Sequence, residues 1–139
     1  MADNRKPGEE RLVKTFSDLC HEAKTRVPET TPAEVQARVE ETGREWRLID
    51  VREQDEYRGG HLPGAIGCGR GILEYHIADI EANPVKEIVL YCRGGHRSAL
   101  AADSLRQMGY SNVHSMIGGF RQWSEEGRPI THEDRMVHH

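Results

Sequence analysis

Seven consecutive residues, Cys92-Arg93-Gly94-Gly95-His96-Arg97-Ser98, combine a thiol, two guanidinium groups and a pair of glycines. A cysteine acts as a nucleophile in its thiolate form, and nearby cations favour that form. Arg93 and Arg97 supply two such charges, with no acid between Glu87 and Asp103 to cancel them. Gly94 and Gly95 permit a tight turn that aims several backbone N–H groups at one point, which makes an anion cradle. The pattern points to attack by Cys92 on an anionic substrate held by Arg93, Gly94, Gly95, His96 and Arg97. No Ser or Asp pattern around His96 marks it as a general base.

Such a loop needs elements to hold it. Glu87-Ile88-Val89-Leu90-Tyr91 is the most continuous apolar run in the chain and predicts a buried parallel strand at the centre of a sheet. Cys92 then falls at the carboxyl end of that strand, where open α/β sheets build their sites. Ser98 to Met108, rich in Ala and Leu and followed by Gly109, predicts a helix that turns its positive N-terminus toward the loop. Further strands are predicted over Trp46 to Val51, at Ala65-Ile66 and over Asn112 to Met116. Thr31-Pro32-Ala33-Glu34 predicts a capping box opening a helix that runs to about Thr42. Ile72 to Ile80 reads as a helix, and Phe120 and Trp123 fall on another after the Gly118-Gly119 break. Leu12, Phe16, Leu19, Cys20 and Ala23 recur at helical spacing, so an amphipathic helix is predicted from about Glu9 to Thr25, with Cys20 on its packed stripe. Strand and helix alternate, which is the signature of an α/β fold.

The chain has 139 residues, about the size of one domain, and a net charge of −4 that provides no general basic field for nucleic acid. No apolar stretch approaches the roughly 18 residues that span a bilayer, and no secretory signal precedes the first helix, so a cytoplasmic protein is expected. Cys20, Cys68 and Cys92 are odd in number and form no C-x-x-C, which disfavours a disulfide framework and a zinc site. Neither a metal nor an organic cofactor is expected.

Taken with Leu48-Ile49-Asp50-Val51-Arg52, Glu56-Tyr57-Arg58-Gly59-Gly60-His61-Leu62-Pro63-Gly64-Ala65 and Gly118-Gly119-Phe120-Arg121-Gln122-Trp123, the Cys92 loop resembles that of single-domain rhodaneses, the thiosulfate sulfurtransferases. The resemblance covers about Thr30 to Ile130. It divides the chain into a helical extension (1–26), a rhodanese-like domain (27–131) and a polar tail (132–139). It implies a mainly parallel five-stranded sheet flanked by helices, and a reaction in which Cys92 takes the outer sulfur of thiosulfate as a persulfide. A thiol, that of a small molecule or of a protein, or cyanide then removes that sulfur. Arg70-Gly71-Ile72-Leu73-Glu74 resembles a segment of small bacterial members and implies a third substrate cation, Arg70. Asp50 and His61 are expected to be structural.

Two other functions share these residues. A cysteine phosphatase or arsenate reductase would use a similar loop, but with a C-x5-R spacing where this chain has C-x4-R. A carrier module would receive its persulfide from a partner. Finally, Gly67-Cys68-Gly69 replaces the His-Ile-Pro-like run of the relatives at a segment expected to border the active loop, and two readings stand for its thiol: it fills the place of an apolar residue, or it reaches Cys92 and forms a protective disulfide.

Overall fold

The structure, a computed structural model, describes residues 12–41 and 45–137. Among them, β1 (Glu29–Thr30), β2 (Arg47–Asp50), β3 (Ile66–Gly67), β4 (Ile88–Tyr91) and β5 (Val113–Met116) form one sheet in the order β1-β5-β4-β2-β3. Every pairing is parallel, so the sheet is wholly rather than mainly parallel. β4 occupies the centre, as its uninterrupted apolar run predicts.

Helices α1 (Phe16–Arg26), α2 (Pro32–Val39), α3 (Gln54–Arg58), α4 (Leu73–Ile80), α5 (His96–Met108) and α6 (Gly119–Glu125) cover the two faces. The division is visible along β4. Ile88 and Leu90 join a cluster with Val27, Ile77, Ala102 and Leu105, whereas Val89 and Tyr91 join one with Val35, Met116 and Trp123. Side chains on a strand alternate between faces, and both faces are dry here, so all four residues are apolar. Cys92 continues the alternation into the first cluster, on the side covered by α1 and α5.

The helix predicted from about Glu9 begins at Phe16, and residues 9–11 lie outside those described. Its start is set by a capping box: Asp18 N–H donates to Thr15 Oγ1 at 3.1 Å, and Thr15 N–H donates to the Asp18 carboxylate at 2.9 Å. Cys20 and Ala23 are buried against the body as expected, but Leu12, Phe16 and Leu19 of the same stripe face solvent. α2 ends at Val39, and Thr42 lies outside the described residues. Its cap is half of the predicted box: Thr31 accepts the Glu34 N–H, while the Glu34 carboxylate takes the Thr30 hydroxyl.

The stretch beyond residue 131 lies along β3. Gly67 N–H donates to the Arg135 carbonyl at 3.1 Å, Val137 N–H donates to the Gly67 carbonyl at 2.7 Å, and Val137 packs on the core. No helix among the described residues is long and apolar enough to cross a membrane.

Candidate active site

β4 ends at Tyr91, and the chain turns through Cys92 to Gly95 before entering α5. Gly95 takes φ +93° as the residue preceding the helix, a conformation that L side chains rarely adopt. This turn brings Gly95 N–H to within 3.1 Å of Cys92 Sγ. A backbone donor makes a stronger hydrogen bond to a charged acceptor than to a neutral one, so this amide is placed to hold negative charge on sulfur when it develops. The Cys92 thiol in turn donates to Ser98 Oγ at 3.5 Å, and Ser98 shares a 2.8 Å hydrogen bond with Ser115 on β5. Both serines are fully buried, so the sulfur is connected to a polar chain inside the sheet.

A second close approach fixes the loop from outside. Phe120 N–H donates to the Cys92 carbonyl at 2.8 Å and Arg121 N–H to the Arg93 carbonyl at 2.9 Å, so the first turn of α6 is stapled to the loop. A Cβ on Gly119 would lie 2.4 Å from the Cys92 carbonyl oxygen, and its φ is +56°. Only glycine permits that contact.

Cys92, 1% exposed, lies at the base of a cavity of about 310 Å³ whose walls are Phe16, Arg93, Gly94, His96, Arg97 and Arg121. Five predicted loop residues thus line one space, and the sixth, Gly95, bonds to the sulfur through its N–H. Arg97 is engaged within it. Its Nη1 and Nη2 donate to the two carboxylate oxygens of Glu56 at 3.2 and 3.3 Å. Glu56 also accepts the Glu53 N–H at 3.1 Å, which holds it at the first turn of α3. Burial pushes the Glu56 carboxyl up, but the hydrogen bonds from Arg97 and the Glu53 amide outweigh it and leave the group below its ordinary range.

His96 Nδ1 lies 3.2 Å from Lys24 Nζ on α1.

Arg70 opens a 3₁₀ turn at the same end of the sheet, its N–H bonded to the Val51 carbonyl at 3.0 Å, but it is absent from the walls of the Cys92 cavity. Its charge bears instead on Cys20, whose thiol burial pushes above its ordinary range, with Lys24 and Arg70 offsetting only part of the rise.

Of the two readings of Cys68, the disulfide with Cys92 does not fit, and the buried thiol sits in the core as an apolar residue would. Asp50 on β2 pairs with Gly67 on one side and Tyr91 on the other, so Cys68 and Cys92, the next residues, stand two strands apart. That is roughly 9–10 Å between Cα atoms, beyond the ~7 Å limit for a disulfide. Burial, with the charge of Glu74, also pushes the Cys68 thiol up to about 11, which makes it a poor nucleophile.

Asp50 and His61 brace the sheet end. The Asp50 carboxylate accepts from Arg52 Nε and Nη2 and from the Tyr91 hydroxyl, at 2.7–3.1 Å, while Arg52 Nη2 also donates to the Gly60 carbonyl. Each end of this buried pair has partners, as a charge in a dry interior requires. His61 stacks on Tyr57 with ring centroids 3.6 Å apart, and its Nδ1 lies 2.8 Å from the Tyr57 carbonyl. Sequence reasoning missed Phe16, Glu56, Ser115 and Arg121 as neighbours of the loop. They come from four distant segments, and no local spacing links them to Cys92.

Fold and site together define an α/β protein that carries a cysteine on a glycine- and arginine-bearing loop at the carboxyl end of its central strand. The rhodanese-like domain model matches residues 31–126, and the chain belongs to that family. It is 32% identical over 83 residues to a sulfurtransferase of Allochromatium vinosum, a match covering 60% of this chain and 76% of that one. The match spans less than two thirds of the length of the first curated relatives. Among solved structures, it resembles thiosulfate sulfurtransferase from Pseudomonas aeruginosa, with a TM-score of 0.78 and 25% identity over 89% of this chain and 24% of that one. It also resembles RPA3614 of Rhodopseudomonas palustris, described as a protein of unknown function and possible tyrosine phosphatase, with a TM-score of 0.81 and 31% identity over 88% and 98% of the two chains.

Proposed function

We propose that this protein is a sulfurtransferase that takes a sulfane sulfur from thiosulfate, or a related donor, onto Cys92 and passes it to a thiol or cyanide. The observation that carries the proposal is the contact between Gly95 N–H and Cys92 Sγ at the base of a cavity walled by Arg93, Arg97 and Arg121. The Cys92 thiolate attacks the outer sulfur of thiosulfate. A new S–S bond forms, the old one breaks, and its electron pair leaves with sulfite. The persulfide carries the same single negative charge as the thiolate it replaces, so the same amide serves both. Arg93 and Arg121 hold the sulfonate end, and Arg97 joins them by exchanging Glu56 for the incoming anion. Cyanide then attacks the outer persulfide sulfur, thiocyanate leaves, and Cys92 thiolate returns.

The likeness to RPA3614 favours a second reading, a cysteine phosphatase. The C-x4-R loop argues against it, being one residue shorter than the phosphatase form and sized for a sulfur atom. Treating the protein with thiosulfate and weighing it intact decides the matter. A gain of one sulfur that cyanide removes as thiocyanate supports the proposal. Efficient hydrolysis of small aryl phosphates without that gain overturns it, and a gain that appears only with a protein donor assigns the carrier role.

A further inference from the structure

The family match begins at residue 31, yet one wall of the Cys92 cavity comes from an earlier part of the chain. Phe16, the first residue of α1, lines that cavity and also an adjoining one of about 290 Å³ lined by Ser17, Cys20, His21, Lys24 and His96. Phe16 is 57% exposed, and Leu19, one turn on, is 44% exposed. An apolar edge therefore faces water at a site whose other side-chain walls are mostly cationic.

α1 holds this ring in place through contacts that have nothing to do with it. Cys20 and Ala23 are buried against the body, and Arg26 grips Asp103 on α5 through two hydrogen bonds of 2.9 and 2.7 Å. Lys24 reaches His96 in the active loop, and the Thr15–Asp18 box sets where the helix begins. Phe16 follows that cap directly, so its backbone is ordered before any ligand arrives. A pre-placed apolar wall binds without a further loss of chain entropy.

We propose that Phe16 forms an apolar acceptor subsite, and that the acceptor it suits is a small organic thiol with an aliphatic body. The inference rests on the sulfurtransferase reading of Cys92. Phe16 is the apolar side chain among the walls of this cavity, and methylenes laid along its ring leave water. The cavity, about 310 Å³, sits at the lower end of the ~300–1,000 Å³ of ligand pockets, with more room than the handful of atoms in thiosulfate requires. The acceptor step balances. The thiolate of the acceptor attacks the outer sulfur of the Cys92 persulfide, a bond forms between those two sulfurs, and the bond to Sγ breaks. The electron pair returns to Sγ, and the proton lost from the acceptor thiol goes to solvent.

Turnover of the full chain with thiosulfate is measured with cyanide and with mercaptoethanol, mercaptobutanol and mercaptohexanol as acceptors. In the parent, kcat/KM rises along the thiol series by roughly twofold per methylene, a partial share of the about fourfold that full burial gives. Phe16→Ala flattens the series, and Phe16→Leu restores most of the slope. Both variants fold, because Phe16 is more than half exposed. Val85→Ala, an exposed apolar site in the loop before β4 at the opposite end of the sheet, keeps the parental slope. A flat series in the parent, or an unchanged slope in Phe16→Ala, overturns the subsite while thiosulfate–cyanide turnover stands. Absence of that turnover in the parent overturns the sulfurtransferase reading and the subsite with it.

Discussion

The carboxylate of Glu56 meets the guanidinium of Arg97 oxygen for nitrogen, at 3.2 and 3.3 Å, although 41 residues separate them in sequence. The pair is partly exposed, with side-chain accessibilities of 28% and 30%, so water and salt weaken it and an anion can compete for the fork. Glu56→Gln keeps an oxygen for Arg97 but removes the charge. We expect the KM for thiosulfate to fall several-fold at low salt, with the difference vanishing as screening shortens toward the ~3 Å Debye length of 1 M salt. A KM unchanged at low salt would show that Arg97 takes no part in donor binding.

The same pair has an acid dependence. The Glu56 carboxyl is held below its ordinary range, so the native state prefers it ionised. Its contribution to stability is therefore present above the unfolded value of ~4.3 and is lost as pH falls through the lower folded value. Denaturant midpoints of the parent and Glu56→Gln should differ at pH 7 and converge below pH ~4, and a gap that persists in acid would contradict this.

Cys92→Ser should abolish sulfur transfer while leaving the fold intact, because a hydroxyl is nearly isosteric and far less nucleophilic at neutral pH. Gly95 N–H and Ser98 can bond oxygen as they bond sulfur. Intact mass after thiosulfate should show no added sulfur, and any thiocyanate formed by the variant at the parental rate would remove Cys92 from its role.

Gly119→Ala should damage fold and activity together. The new methyl would meet the Cys92 carbonyl oxygen at 2.4 Å in a backbone conformation with φ +56°, so the α6 turn must withdraw from the loop. We expect about 2–3 kcal/mol of destabilisation, at the upper end of what a strained backbone site costs. Gly127→Ala is the comparison, since its φ is +69° but nothing lies within 4 Å of the added carbon. Equal losses in the two variants would mean that the clash with the loop has no part in the effect.

Asp103→Asn should loosen α1. Arg26 hydrogen-bonds the Asp103 carboxylate and holds it below its ordinary range, with partial burial opposing. The stabilisation is present above the unfolded value of ~3.9 and disappears as pH falls through the lower folded one. Amide exchange across 16–26 should quicken in the variant at pH 7 while β4 stays protected, and an unchanged pattern would show that apolar packing alone docks the helix.

Much of this architecture is legible in local pattern. Ile88 to Tyr91 has a buried strand's composition because water reaches neither face, and Thr31-Pro32 and Gly109 mark helix ends through the backbone angles and donors they supply. The cysteine, its glycines and its arginines are contiguous, so the loop's chemistry is written within seven residues. Tertiary structure decided the rest. Sequence left open whether Cys68 packs or pairs with Cys92, but β2 runs between their strands and keeps them roughly two strand spacings apart. Leu12, Phe16 and Leu19 share helical spacing with Cys20, yet they face solvent, because periodicity specifies a stripe and not how far the neighbouring surface extends to cover it. Arg97 was legible as a cation, but its partner was not. Glu56 reaches it only because β2 lies beside β4 in the sheet, which sets the helix after one strand next to the loop after the other. Contacts of that kind depend on the order in which strands pair, and strand order is set by the packing of the whole chain.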